Sequence, residues 1–122
     1  MKKYMIPSVP SIYSVGNRYL SVLHARIRNN CSDLNQDLFR NHLRDNPLCT
    51  CNSVDSENSE HYFFSCMLYN NQRATFLRQT RAYHPLNIET VLFGNKELST
   101  EDNLAIFTAV QNFIKDTKRF IN

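Results

Sequence analysis

The chain has 122 residues and a mass of 14.3 kDa, enough for one small domain and too short for a typical two-domain enzyme. Its formal net charge of +3 is too modest to indicate a polyanion-binding protein by itself, and no apolar stretch approaches the roughly 20 residues that cross a bilayer, so no membrane partner is expected. The chain contains only two glycines and four prolines, and this low content of turn-forming residues favours helices over a turn-rich β fold.

The start of the chain does not resemble a secretory signal. Lys2 and Lys3 are followed by Pro7 and Pro10, where the apolar core of a signal would run. We therefore expect an intracellular protein with reduced thiols. Residues 1–14 are expected to form a flexible N-terminal segment, followed by one helical domain over residues 15–122.

Two helices are predicted in the first half of the domain. Residues 17–30 form the first, and the second is shorter, is capped by Ser32 or Asp33 and ends before Pro47. Together they are expected to form a helical hairpin. The apolar positions at helical spacing are Leu20, Leu23 and Ile27 in the first helix, and Leu34, Leu38, Phe39 and Leu43 in the second.

Two further helices are predicted in the second half. The third begins near His61 and runs to about Ala82. The fourth is capped by Ser99, and its charges suit the helix dipole, with Glu101 and Asp102 at the start and Lys115, Lys118 and Arg119 at the end. Its apolar stripe is predicted to be core: Leu104, Phe107, Val110, Phe113, Ile114 and Ile121. The expected fold is mainly α, with about four helices around a zinc-knuckle loop.

Three thiols and one imidazole follow the pattern C-x-C-x9-H-x4-C, as Cys49, Cys51, His61 and Cys66. Sulfur and nitrogen donors in a closed tetrahedral set are what zinc prefers, and four protein ligands leave no position for a water nucleophile. The segment from Asn52 to Glu60 is too polar to form a core, so a metal is the expected anchor for both of its ends. One structural Zn²⁺ is predicted here.

Two alternatives to a zinc site remain open. The front pair is spaced by Thr50 alone, which demands a sharp bend; Asn52 follows and tolerates left-handed backbone. The first alternative is a set of unrelated cysteines beside a chance histidine. The second is a disulfide framework with Cys31 bridged to Cys66, which would need an oxidising compartment. Cys31 is otherwise expected to be buried.

Positive charge is concentrated outside the predicted metal loop, the segment between Cys49 and Cys66. Bases outnumber acids in residues 1–44, whereas residues 45–66 carry acids and no lysine or arginine. If the chain contacts nucleic acid, the phosphates should therefore meet the helices, while Tyr19, Tyr62 and Tyr69 are candidates for stacking on unpaired bases. Ordinary solvated faces are the alternative. The candidate phosphate-binding residues are Arg26, Arg28, Arg40, Arg44, Arg73, Arg78 and Arg81.

These motifs, in this order, resemble the C-terminal segment of non-LTR (LINE-type) retrotransposon reverse transcriptases. The similarity spans roughly residues 15–121, and the knuckle is its most specific part. It rests on Arg18, His24-Ala25-Arg26-Ile27-Arg28, Cys49-Thr50-Cys51, Glu57, His61-Tyr62-Phe63-Phe64, Cys66, Tyr69 and Arg73, and on Leu92-Phe93-Gly94, Phe113-Ile114, Thr117 and Arg119-Phe120.

The chain departs from the family pattern at three positions. Asn52 stands where the family commonly has glycine, Met67 where it has proline, and Asn58 where it has threonine. All four ligand positions are present. No F/Y-x-D-D polymerase motif and no endonuclease are found, so the chain resembles a detached tail of such an element, starting from its own methionine.

The resemblance implies a zinc-stabilised nucleic-acid-binding module without catalysis. It would bind RNA or DNA nonspecifically, contact the missing reverse transcriptase domains and work in the nucleus. A helical module that zinc stabilises and that binds protein is the second hypothesis, because an acidic loop and aromatic-rich helices would serve it equally well. An enzyme using the C-x-C pair, or His24 with Cys31, is disfavoured because no orienting acid or oxyanion feature is identifiable.

Overall fold

The computed structural model describes residues 16–51 and 54–120, so the expected flexible segment 1–14 lies outside the described residues. The described part is mainly helical, which confirms the predicted fold class. Its five α-helices are α1 (Arg18–Arg28), α2 (Asn35–Arg40), α3 (Asn70–Gln79), α4 (Ile88–Phe93) and α5 (Thr100–Thr117). Its shorter turns are a π-helical turn (His61–Ser65) and two 3₁₀ turns (Met67–Tyr69 and Arg81–Tyr83).

Helix α5 is the centre of the domain, with α1, α3 and α4 packed against it. Ser99 caps it as predicted, its hydroxyl accepting from the Asp102 amide at 3.0 Å. Four of the six predicted stripe residues are buried: Phe107, Val110, Phe113 and Ile114. Leu104 is half-buried, and Ile121 lies outside the described residues. The aromatic core forms around Phe113, whose ring centroid lies 5.1 Å from that of Tyr62 and 5.4 Å from that of Phe76.

Helix α1 agrees with its prediction. The side chain of Asn17 caps it by accepting from the Leu20 amide at 3.1 Å, and Leu20, Leu23 and Ile27 are buried. Its inner face also buries His24, whose ring meets that of Phe107 edge-on at 4.6 Å. The helix thus contributes both apolar and polar groups to the contact with α4 and α5.

The predicted second helix is shorter than its apolar pattern indicated. It ends at Arg40, and His42 follows with a left-handed φ of 63°. Phe39 and Leu43 are therefore exposed rather than part of the core, at 42% and 74%. The predicted cap was also wrong: the N-terminal flanking residue is Leu34, and the Ser32 hydroxyl accepts from its amide at 3.1 Å.

Helix α4 was not predicted from the sequence. Gly94 ends it with φ 79°, and a Cβ there would lie 2.9 Å from the side-chain oxygen of Asn103, so glycine is required on both counts. Asn103 is buried and organises the loop to α5, since it accepts from the Asn95 amide at 2.8 Å and donates to the Asn95 carbonyl at 2.9 Å. This loop places α4 against α1.

The prediction of one continuous helix from His61 to about Ala82 was wrong. The chain forms a π-helical turn, then becomes extended at Cys66 with ψ 123°, and only afterwards enters α3. A second interruption follows at Thr80, whose hydroxyl donates back to the Phe76 carbonyl at 2.9 Å. The break at Cys66 separates the metal-ligand segment from α3.

Candidate metal centre

The four predicted ligands lie together in the folded chain. The ligand atoms of Cys49, Cys51, His61 and Cys66 are all within 4.8 Å of one another, and all four residues are buried. No other group of this kind occurs within residues 16–51 and 54–120. The four residues can hold one metal ion.

Two distances within the group match the edges of a zinc tetrahedron. Zinc–sulfur bonds of about 2.3 Å at tetrahedral angles place two sulfurs about 3.8 Å apart, and a sulfur and an imidazole nitrogen about 3.6 Å apart. The sulfurs of Cys49 and Cys66 are separated by 3.7 Å. Cys51 Sγ lies 3.4 Å from His61 Nε2. The donor set and its spacing fit a four-coordinate metal with soft ligands.

A short antiparallel pairing positions the front cysteines. Leu48 pairs with Ser56 as an isolated β-bridge, the Cys49 amide donates to Asp55 O at 3.0 Å, and the Glu57 amide donates to Pro47 O at 2.8 Å. The left-handed backbone predicted at Asn52 lies outside the described residues. The pairing brings the front cysteines back toward His61.

The π-helical turn explains how the H-x4-C spacing brings the side chains of His61 and Cys66 together. In an α-helix, residues five apart are rotated by about 140° relative to each other, so His61 and Cys66 would point in different directions. In the observed turn the Cys66 amide donates to His61 O at 2.8 Å. This hydrogen bond joins residues five positions apart, as in a π-helix, and it brings the two residues one above the other. Asn58 starts the turn, its side-chain oxygen accepting from the His61 amide at 2.8 Å.

Arg73 satisfies the carbonyls that this irregular turn leaves without helical partners. Its Nε donates to Phe63 O at 3.0 Å and its Nη2 to Tyr62 O at 3.2 Å, and burial lowers the pKa of the guanidinium from its usual value. Tyr62 is anchored separately, because its hydroxyl lies 2.6 Å from the Thr117 hydroxyl on α5. The turn that carries His61 is thus held by α3 and α5.

Burial makes the thiolate forms of Cys49 and Cys66 costly unless a cation lies beside them. Burial raises the pKa of the Cys49 thiol to about 12 and also raises that of Cys66, because a thiolate in this dry site lacks solvent. A divalent metal would supply the missing positive charge. On the outer side, Asp55 Oδ2 lies 3.8 Å from His61 Nδ1, where a carboxylate can orient a ligating imidazole.

A shallow polar cleft of about 310 Å³ adjoins the cluster at His61. Its lining includes the carboxylates of Asp55 and Glu60, together with Ser56, Asn58 and Ser65. Its negative charge would repel a phosphate backbone. The acidic character predicted for the metal loop is therefore a property of its surface.

The predicted phosphate-binding arginines fall into two groups. Arg28 and Arg73 are buried, and their guanidinium groups donate to main-chain carbonyls, Arg28 to that of Leu92. They stabilise the fold and are not placed to meet a phosphate. The other five are exposed: Arg26, Arg40, Arg44, Arg78 and Arg81. Of these, within the described part of the chain, Arg40 alone forms an ion pair, 3.4 Å from Asp37.

Three other predictions about single residues are corrected by burial. Tyr62 and Tyr69 are buried in the aromatic core and cannot stack on bases, whereas Tyr19 is 51% exposed. Cys31 is exposed rather than buried. His24, the histidine considered with Cys31 for an enzyme, is buried, with Nε2 2.8 Å from Val91 O.

One buried ion pair beside the metal loop was missed altogether. Glu57 is 3% exposed and forms a two-pronged interaction with Arg119, from Nε to Oε2 at 2.8 Å and from Nη2 to Oε1 at 2.7 Å. Arg119 was expected to complement the dipole of α5. It lies beyond the end of that helix and turns toward the loop instead. The only signal in the sequence was that both residues match the family resemblance.

Fold and site together define a small, mainly helical domain with a buried cluster of three cysteines and one histidine that can hold a metal ion. Comparisons with protein-family models, curated proteins and solved structures gave no match to this chain. No helix within residues 16–51 and 54–120 is both long enough and apolar enough to cross a membrane.

Proposed function

We propose that the chain is a zinc-stabilised, non-catalytic module that binds nucleic acid. The observation that carries the zinc assignment is the buried group of four ligand atoms within 4.8 Å of one another. A closed set of three sulfurs and one nitrogen suits Zn²⁺ and leaves no open position for a substrate or a reactive water. The metal would thus be structural, stabilising the loop between Cys49 and Cys66.

Nucleic-acid binding is supported by the distribution of exposed charge. Arg26, Arg44, Arg78 and Arg81 are exposed and form no ion pair with any carboxylate of the described residues. Guanidinium groups that are free of carboxylates can bind phosphate oxygens without first losing an internal partner. Arg40 would join them at the cost of its weak surface pair with Asp37. Phosphate contact would be largely independent of sequence.

The resemblance to the tail of non-LTR retrotransposon reverse transcriptases points the same way. In such an element the module would help to grip RNA or target DNA beside the polymerase, and its work would take place in the nucleus. The polymerase and endonuclease domains would be its natural protein partners. The four ligand residues and the exposed Arg26 of the H-x-R-I-R motif are the matched positions on which this proposal relies.

The test is a salt series with labelled single-stranded RNA and DNA. Fluorescence anisotropy of the zinc-loaded chain should give an affinity that falls steeply between about 50 and about 200 mM salt. Arg40→Gln combined with Arg44→Gln should weaken binding and flatten the plot of log K against log salt by about 0.7 for each lost single-strand phosphate contact. Lys96→Gln combined with Lys115→Gln is the control, since it removes the same charge from two other exposed positions.

A protein-interaction module remains the second candidate, because exposed apolar residues lie on the segments around the metal loop. Leu43 is 74% exposed and Met67 62%, and Phe39, Leu48 and Leu68 are also exposed. No measurable affinity for either nucleic acid at the lowest salt would favour this second function. An equal loss of affinity in the lysine control would show that net charge alone governs binding.

A further inference from the structure

The two halves of the candidate metal site are joined by the short segment 55–58. At one end it pairs with residues 47–49, through the hydrogen bonds that position the front cysteines. At its other end Asn58 caps the turn that carries His61, and its carbonyl also accepts from the Tyr62 amide at 3.0 Å. Any displacement of this segment would move both pairs of ligands apart.

Glu57 lies in the middle of that segment and is fixed on two sides. Its backbone carbonyl accepts from the Gln36 amide at 3.0 Å, and its Oε1 accepts from the Asn35 amide at 2.8 Å, so α2 holds it from one direction. Arg119 holds it from the other with two hydrogen bonds. The same guanidinium donates to Asp33 O at 2.9 Å, which closes the arrangement between the end of α5 and the start of α2.

We infer that Glu57 and Arg119 are the positioning pair of the metal site, holding segment 55–58 in place so that all four ligands converge before the ion arrives. The inference rests on the metal-binding part of the proposed function. Neither residue is a ligand: the pair acts through the main chain of residues 55–58. A buried, two-pronged arginine–carboxylate contact constrains orientation as well as distance, which is what a preorganised ligand set requires.

The pair also connects the metal to a residue far along the chain. Arg119 and Glu57 are 62 positions apart, and the Arg119 side chain is 24% exposed while that of Glu57 is 4% exposed. Metal binding should therefore depend on the conformation of the residues that follow α5. Removal of these residues should weaken binding even though all four ligands remain.

The inference is tested by titrating the metal-free full chain with Co²⁺ under reducing conditions. Thiolate-to-cobalt and ligand-field absorption report the ligand set, and the titration gives the affinity. Arg119→Met should leave the spectrum of the saturated protein unchanged and weaken Co²⁺ binding by about ten- to a hundredfold. Glu57→Gln should behave alike, and the double variant should be little worse than either single one. Arg40→Met, which breaks the surface pair with Asp37, should bind like the wild type.

Several results would overturn the inference. Unchanged Co²⁺ affinity in Arg119→Met, even with lower resistance to urea, would make the pair an ordinary structural contact, and additive losses in the double variant would show that the residues act separately. If Arg119→Met does not fold, Arg119→Lys decides: it keeps the charge without the two-pronged geometry, so wild-type affinity there refutes the inference. A wild-type chain without cobalt absorption would overturn this inference and the proposed function together.

Discussion

The guanidinium group of Arg73 donates to the carbonyl oxygen of Phe63 at 3.0 Å, in place of the amide that a continuous helix would have supplied. The break in the helix at Cys66 lets the thiol reach the other three predicted ligands, and it leaves carbonyls of the preceding turn without helical donors. An arginine from the next helix compensates for that loss. The irregular ligand turn and its buried cation are thus parts of one arrangement.

Replacement of Arg73 by methionine should destabilise the domain strongly. The variant would leave the Phe63 and Tyr62 carbonyls buried without their donors, and we expect a loss of about 2 to 4 kcal/mol in the free energy of unfolding. Urea denaturation followed by circular dichroism measures it. The control is Arg78→Met on the exposed face of α3, which should change stability by less than about 0.5 kcal/mol. Equal losses in the two variants would contradict the role given to Arg73.

The hydrogen bond between Tyr62 and Thr117 should be detectable in a double-mutant cycle. Tyr62→Phe removes one hydroxyl and should cost about 1 kcal/mol, whereas Thr117→Val leaves the buried Tyr62 hydroxyl without its partner and should cost about 1 to 3 kcal/mol. The double variant should be less destabilised than the sum of the two. Thermal unfolding of the four proteins gives the coupling, and strict additivity would mean that the hydroxyls do not stabilise the fold together.

His24 should make stability depend on pH in the acid range. Burial, followed by the nearby charge of Arg28, lowers the pKa of His24 to about 3, against about 6.5 for an unfolded histidine. The unfolded chain therefore takes up a proton first as pH falls. The contribution of this residue is complete above about pH 6.5 and is lost as pH falls from there toward about 3, with about 2 kcal/mol lost between pH 7 and pH 5.

A comparison of urea midpoints for the wild type and His24→Gln at these two pH values isolates the effect, since both proteins share the acid sensitivity of the metal ligands. The variant should lose about 2 kcal/mol less than the wild type on acidification. His42→Gln is the matched control for the substitution itself, because it removes an exposed imidazole in place of a buried one. If His24→Gln loses as much stability on acidification as the wild type, the buried ring does not resist protonation.

Removal of the metal should unfold the loop and lower the stability of the whole domain. Mass spectrometry under native conditions should find one zinc per chain, and chelation should lower the melting temperature and the helical circular dichroism, because binding energy at a structural zinc is folding energy. Cys66→Ser should reproduce the chelated state without chelator.

Cys31→Ser provides the control, since that thiol is exposed and lies outside the cluster. Zinc content and melting temperature should match the wild type in this variant. Unchanged zinc content and helicity in Cys66→Ser would reject the four-ligand assignment.

The sequence predicted what depends on local pattern. The spacing of Leu20, Leu23 and Ile27 predicted α1, and the Ser99 cap with the apolar stripe predicted α5, because both helices bury one face and have ends satisfied by nearby side chains. The order of three cysteines and one histidine predicted the ligand set. Metal ligands are recognisable in sequence because proteins seldom place several cysteines and a histidine so close together for another reason.

Only the tertiary structure decided how those ligands meet and which charged residues are available to a partner. Phe39 and Leu43 satisfied a helical pattern, yet α2 ended early and left them exposed. Arg73 and Arg119 looked like surface cations, yet one holds the carbonyls of the ligand turn and the other binds Glu57. Hydrogen bonds between residues ten or more positions apart leave no periodicity in a sequence, because they depend on where the packed helices place each side chain. The cluster of three cysteines and one histidine was therefore readable from the chain, whereas the hydrogen bonds that hold it were visible only in the fold.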